Sequence, residues 1–164
     1  MLARQFVFAL RVAAFTLLIA ALGAHSASAQ DAVKGEVLVV LAKEAAGPVD
    51  PKLKPIAALQ KPPFNTFGAM ELLTTTAITL TEATPATVEL PNGRSLQIKL
   101  VERMPDGRHK VSVSINRPDK QDYLPLLTVI ASGEPFFVAG QKHAGGTLVI
   151  GVQIGSKSSA KPSK

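Results

Sequence analysis

The feature that most limits what this chain can fold into is a regular alternation of apolar and polar residues across residues 86–116. Two turn sequences, Pro91-Asn92-Gly93-Arg94 and Pro105-Asp106-Gly107-Arg108, interrupt the alternation. A period of two is typical of strands with one buried face, and Asn-Gly and Asp-Gly supply residues that tolerate the positive φ of tight turns. The segment therefore predicts three antiparallel strands joined by two hairpin turns. Its alternating apolar residues are Val88, Leu90, Leu96, Ile98, Leu100, Val111, Val113 and Ile115.

Two segments that precede this meander also predict strands. Residues 37–41 form an uninterrupted aliphatic run, which is typical of a central strand covered on both faces. Residues 65–82 are rich in threonine and alternate in polarity, which favours one bent strand or two short ones.

Between these strands, residues 45–63 lose the strand pattern and predict one short helix. Asp50 is a favourable N-cap, Pro51 a favourable first helical residue, and Leu53, Ile56 and Leu59 could line one face. Pro55 limits the regularity of such a helix, and Pro62-Pro63 should end it.

The chain after the meander predicts three further strands. Residues 123–131 are apolar and contain Pro125, which should lie on an edge strand or at a bulge because proline has no N–H to donate. Residues 136–139 predict a short strand, residues 140–146 a flexible glycine-containing connection, and residues 147–154 the last strand. We therefore predict an all-β, mainly antiparallel fold: a β-sandwich or open barrel of about seven or eight strands with one short helix.

The N-terminus has the pattern of an export signal. Arg4 and Arg11 supply positive charge, residues 12–24 are apolar, and Ala27-Ser28-Ala29 is a small-x-small cleavage site. We expect cleavage after Ala29, which leaves a β-domain over residues 30–155 and a disordered basic tail over residues 156–164. The alternative is an uncleaved anchor over residues 6–24, although Arg11 interrupts that run. The expected location is periplasmic or extracellular, with no stable membrane span after cleavage.

Charge and cysteine content narrow the function classes. Of 18 Lys and Arg and 12 Asp and Glu, two arginines lie in the signal, so the mature chain has 16 basic and 12 acidic residues and a net charge of +4. Three of those basic residues are lysines of the tail, so the domain is nearly neutral and a nucleic-acid partner is not expected. Because the chain has no cysteine, disulfides and thiolate metal sites are excluded.

Residues that could support catalysis are sparse. The mature chain has two histidines, His109 and His143, and no motif of a nucleophile elbow, zinc protease or phosphate loop. Glu89 and Glu102 could be paired carboxylates, but solvent-facing strand positions are the simpler interpretation. We predict neither an enzyme nor a cofactor or metal site.

The last two predicted strands carry a resemblance to a known family. Gly133-Glu134-Pro135-Phe136-Phe137-Val138-Ala139-Gly140 followed by Gly145-Gly146-Thr147-Leu148-Val149-Ile150 resembles the closing hairpin of the β-domain of secretins. The mature chain as a whole is similar to small exported β-rich bacterial proteins of unassigned function. This resemblance implies assembly in the cell envelope, with an envelope or secretion-apparatus protein as the partner.

The sequence leaves three functional hypotheses. The first is a noncatalytic exported β-domain that binds or assembles with envelope proteins through a sheet edge or loops. The second is a carrier of a small apolar ligand held between inward residues, and the third is a hydrolase with dispersed acidic residues. The candidate binding residues are Tyr123, Phe136, Phe137, Lys142 and His143, and the edge strand over residues 123–131 is the candidate surface. Ordinary core packing is the alternative for the aromatic residues.

Overall fold

The computed structural model describes residues 32–116 and 122–155. The predicted signal peptide, most of the charged loop before residue 123 and the predicted basic tail lie outside these residues. Within them, the chain forms eight strands in two separate antiparallel sheets, which confirms the predicted all-β fold as an open sandwich rather than a closed barrel. The strands are β1 (Val33–Lys43), β2 (Ala69–Leu80), β3 (Ala86–Glu89), β4 (Ser95–Arg103), β5 (His109–Asn116), β6 (Tyr123–Ala131), β7 (Phe136–His143) and β8 (Gly146–Ile154).

The first sheet has the strand order β2-β1-β8-β7 and the second has the order β3-β4-β5-β6. The chain begins in the first sheet, forms the whole second sheet as a meander, and returns to place β8 beside β1. The aliphatic run of β1 is therefore central, as predicted. One face of β1 packs against the second sheet through Val37, Val39 and Leu41, and the other face packs Val40 and Ala42 into a separate apolar cluster.

The inward residues of both sheets form one core. All eight alternating residues of the meander are buried there, with exposed fractions of 4% or less, opposite Leu148, Ile150, Val152 and Ile154 of β8. Burying a large aliphatic side chain stabilises a fold by roughly 1.5–3 kcal/mol relative to leaving it exposed, so this alternation is the main source of sheet packing.

Both meander turns have the predicted glycines at positive φ. Gly93 has φ of 77° and Gly107 has φ of 82°. In each turn the glycine N–H donates to the carbonyl of the residue three positions earlier, at 3.0 Å. The N–H of that earlier residue donates to the carbonyl of the arginine that follows the glycine. This pattern is a tight turn followed by a glycine in the left-handed conformation. Asn92 and Asp106 do not have positive φ; their side-chain oxygens instead accept the N–H of Arg94 and of Arg108.

The predicted short helix does not form from Asp50. Asp50 Oδ1 accepts the Lys52 N–H at 2.8 Å, but the chain then makes three-residue hydrogen bonds, from Leu53 N–H to Asp50 O and from Ile56 N–H to Leu53 O. Pro55 has no N–H for an α-helical bond to residue 51, which accounts for the difference. In residues 32–116 and 122–155, the helical content is two 3₁₀ turns, Ala57–Gln60 and Phe64–Thr66. No helix among the described residues is long and apolar enough to cross a membrane.

Residues 44–68 cover the outer face of the first sheet. Leu53 and Leu59 of this covering segment are fully buried against Val40, Ala42 and Val149. The segment also bonds to the sheet through its backbone: Gly68 N–H donates to Lys43 O at 2.9 Å, and Asp50 N–H donates to Met70 O at 2.9 Å. The segment that lost the strand pattern is therefore a second apolar layer.

The prediction for residues 136–146 was wrong in its boundaries. Strand β7 continues through the expected flexible connection to His143, because a bulge at Gly140 (φ 132°) absorbs one residue between Ala139 and Gln141. The connection to β8 is only the pair Ala144-Gly145, with φ of 44° and 74°. Two positive φ values in a two-residue hairpin loop are those of a type I′ turn.

Candidate binding surface

Strand β6 is an edge of the second sheet and pairs on one side with β5. Among the described residues, no strand pairs with its other side. Pro125 lies beside a bulge in which Leu126 has no partner on β5, because Leu127 pairs with Val113 and Pro125 pairs with Ser114. The prediction that Pro125 marks an edge or a bulge is confirmed in both respects.

The surface of β6 is apolar. Four large apolar side chains of the described residues are exposed, and three of them lie on this strand: Leu124 at 38%, Leu126 at 36% and Ile130 at 45%. Leu127 and Val129 point inward against the core. Thr128 and Ile130 alternate with them along the strand and therefore face outward. Isolated exposed leucines are common, but three on one unpaired strand form a site at which another chain can pair.

Strand β6 also differs from the other edges in charge. Each of the other described edge strands carries a charged residue: Glu71 on β2, Glu89 on β3 and Lys142 on β7. The nine residues of β6 include none. Charged side chains, very short strands and bulges are the features that prevent edge-to-edge pairing in soluble proteins. From Leu127 to Ala131, β6 has neither a charged residue nor a bulge.

The predicted aromatic binding residues do not form one surface. Phe136 packs against the core between the sheets, whereas Phe137 packs on the opposite face with the covering segment. The Phe137 ring meets the Phe64 ring edge to face, with centroids 5.7 Å apart. Tyr123 lies at the start of β6, half-buried and opposite Asn116. Of the predicted residues, only Tyr123 belongs to the β6 edge.

Lys142 and His143 lie in β7 and not in a loop. Lys142 is exposed opposite Thr147, and His143 is half-buried opposite Gly146.

The two histidines lie at opposite ends of β8. Gly155, at the end away from His143, lies against the ring of His109, since a Cβ at residue 155 would be 3.7 Å from that ring. At about 3.3 Å per residue, roughly 30 Å of strand separates the two histidines. The hydrolase hypothesis requires both histidines in one cleft, and His109 and His143 do not share one.

Other proposed chemical groups are also separated. Glu89 pairs with Ser95 at the start of β4, and Glu102 lies opposite Lys110 near its end, so they are not a carboxylate pair. Glu89 instead accepts the Ser95 hydroxyl at 2.8 Å. No group of three metal-ligating side chains comes together in residues 32–116 and 122–155. The inward residues that a carrier of an apolar ligand would use pack against one another.

An open groove of about 1030 Å³ lies at the His109 end of the sandwich. Its charged residues have mixed signs, and Arg108 bonds to Asp106 within the β4–β5 turn, from Nε to Oδ2 at 2.7 Å. That hydrogen bond lowers the pKa of Asp106 and raises the pKa of Arg108. Burial, followed by the charge of Arg103, lowers the pKa of His109. The groove's charged and titratable residues are Lys34, Glu36, Arg103, Asp106, Arg108 and His109.

A polar cluster at the opposite end was not predicted from the sequence. Arg94 follows the first meander turn and donates from Nη1 to Gln141 Oε1 of the other sheet at 2.7 Å. Its Nε and Nη2 groups both donate to the carbonyl of Asn116, the first at 3.0 Å. Asn116 Oδ1 in turn accepts the Ser95 N–H at 2.8 Å. A contact between residues 94 and 141 has no signal in the sequence, because the turn motif that contains Arg94 specifies only local structure and the two residues are 47 positions apart.

Comparisons with protein-family models, with curated proteins and with solved structures find no match to this chain.

Proposed function

We propose that this chain is a noncatalytic exported binding or assembly module of the cell envelope, and that it binds an extended protein strand along β6. The observation that carries the proposal is the uncharged, apolar and unpaired edge of β6. An added strand would bond to the free backbone groups of β6 and would cover Leu126 and Ile130. Main-chain bonds give affinity in this mode of recognition, and alternate side chains give specificity.

Two further observations favour binding over the alternatives. The separation of His109 from His143 argues against a shared catalytic cleft, and the packed core leaves the inward residues in contact with one another. The export-type N-terminus and the secretin-like hairpin sequence support an envelope location and an envelope or secretion-apparatus partner.

The test is cell fractionation followed by cross-linking and mass spectrometry of the protein in its native envelope. Thr128→Lys adds a charge to the outward face of β6, and Thr75→Lys adds the same charge to an exposed threonine of edge strand β2. We expect cross-links that include residues of β6, lost in Thr128→Lys and retained in Thr75→Lys. Recovery of the wild type as a free monomer in the cytoplasmic fraction would reject both the location and the binding role.

A further inference from the structure

We propose that the strand that pairs with β6 is β6 of a second copy of this chain, in an antiparallel arrangement with its twofold axis at Val129. This inference rests on the proposed function and specifies its partner. The product would be one continuous eight-stranded sheet in which the two second sheets join edge to edge.

Charge is the first argument for a second copy. In antiparallel self-pairing, a charged residue close to the twofold axis lies near the same residue of the other copy, and the two like charges repel. β6 avoids this repulsion because its nine residues are uncharged. Self-pairing of β2, β3 or β7 with its axis near Glu71, Glu89 or Lys142 would bring that charge towards its own copy.

The bulge fixes which residues can take part. Pro125 has no N–H to donate, and Leu126 has no register partner on β5, so the first half of β6 is irregular. The five residues from Leu127 to Ala131 pair with β5 without a register shift. The regular edge is thus short, and its centre is Val129.

A twofold axis at Val129 gives favourable cross-strand pairs. On the outward face, Thr128 of each copy then lies opposite Ile130 of the other. On the inward face, Leu127 of each copy lies opposite Ala131 of the other. β-Branched and aliphatic pairs of this kind stabilise antiparallel sheets. Covering Ile130, which is 45% exposed, adds an apolar contribution to each copy.

The size of the interface predicts a weak dimer. Five residues from each copy bury much less than the roughly 1,200 Å² that stable interfaces need. We therefore expect a monomer–dimer equilibrium that shifts with concentration, not a permanent dimer.

Charge complementation tests this register. In the variant Thr128→Lys with Ile130→Lys, each lysine at 128 faces a lysine at 130 of the other copy, and in the corresponding double glutamate variant each glutamate faces a glutamate. Analytical ultracentrifugation of the protein as processed and purified from expressing cells should show concentration-dependent dimers for the wild type and monomers for each variant alone. A mixture of the two variants should form heterodimers, because every facing pair then has opposite charges. Their dissociation should become easier at high salt.

The control is Thr75→Lys with Ala77→Lys, which places two lysines at alternate exposed positions of the β2 edge. This variant should dimerise like the wild type, and circular dichroism should show the same strand content for all variants. A wild type that stays monomeric at every concentration, a double lysine variant that still dimerises, or a mixture that stays monomeric would each overturn the inference. The proposed function would survive any of these results if the wild type formed cross-links from β6 to another envelope protein and Thr128→Lys did not.

Discussion

Arg94 and Gln141 join the two sheets through a hydrogen bond of 2.7 Å between side chains that are 47 residues apart in the sequence. Arg94 also donates twice to the carbonyl of Asn116, so a single side chain links the β3–β4 turn, the end of β5 and strand β7. The inward residues of the two sheets meet through apolar contacts, which have no directional preference. The bond therefore gives this end of the sandwich a directional contact between the sheets.

We expect Arg94→Lys to lower the free energy of unfolding by about 1–2 kcal/mol, because lysine cannot bond to both Gln141 and the Asn116 carbonyl in the same geometry. Gln141→Ala should cost about 1 kcal/mol. In urea denaturation, the double variant should lose less than the sum of the two single losses, since both remove the same bond.

Arg108 is the matched control for Arg94. It follows Gly107 in the second meander turn as Arg94 follows Gly93 in the first. Among the described residues, however, its side chain bonds only to the exposed Asp106 of its own turn. Arg108→Lys should leave the urea midpoint unchanged. Equal losses for the two arginines would show that the turn position, and not the link between sheets, accounts for the effect.

A second prediction concerns the contact between Gly151 and Phe137. The two residues are paired across β8 and β7, and a Cβ at residue 151 would lie 2.5 Å from Cε1 of the Phe137 ring. Gly151→Ala must therefore displace a ring that Phe64 of the covering segment contacts. We expect a loss of about 1–3 kcal/mol and faster hydrogen exchange in residues 44–68.

The double variant Gly151→Ala with Phe137→Ala separates this steric effect from a backbone effect. Without the ring, the added methyl group has room, so Gly151→Ala should cost much less than in the wild type. If the loss is the same in both backgrounds, contact with Phe137 is not the reason for the glycine.

A third prediction concerns the β7–β8 turn, where Ala144 has φ of 44°. A residue with a Cβ is disfavoured there by roughly 1–2 kcal/mol, and asparagine is preferred at this position before glycine in type I′ turns. Ala144→Asn should stabilise the fold by about 0.5–1 kcal/mol and raise the melting temperature by a few degrees. Ala144→Val, which is β-branched and unsuited to positive φ, should destabilise it. A valine variant as stable as the asparagine variant would contradict the turn assignment.

Much of the fold follows from local patterns in the sequence. The alternation of residues 86–116, the aliphatic run of β1 and Pro125 of β6 each act over a few residues, so strand order in the meander, the central position of β1 and the edge position of β6 were predictable. Whether the outer side of β6 stays unpaired depends on the order of the strands in the sheet, which no local pattern specifies.

The failures have physical reasons of the same kind. Asp50 and Pro51 favour a helix locally, but Pro55 removes the bond that would continue it, and burial of Leu53 and Leu59 on the first sheet fixes another path. Gly140 looked like the start of a loop because a bulge glycine and a turn glycine have the same appearance in a sequence. Phe136 and Phe137 looked like one aromatic site, yet the pleat of β7 sends adjacent side chains to opposite faces.

The last prediction concerns the pH dependence of stability through His109. Burial and, to a smaller extent, the charge of Arg103 hold the pKa of His109 below its ordinary value of 6.5 in the folded state. Between the folded pKa and 6.5, the unfolded chain binds more protons than the folded chain, so stability rises with pH through this interval. The contribution of His109 is fully present above pH 6.5 and is lost as the pH falls through the folded pKa.

His109→Gln should therefore flatten the stability profile below pH 6.5, as measured by urea midpoints at a series of pH values. Arg103→Gln should raise the pKa of His109 towards its ordinary value, which NMR titration of the imidazole can measure directly. Because burial is the larger cause, this change should remove only part of the shift. A titration of His109 at or above 6.5 in the wild type would rule out the proposed origin of the pH dependence.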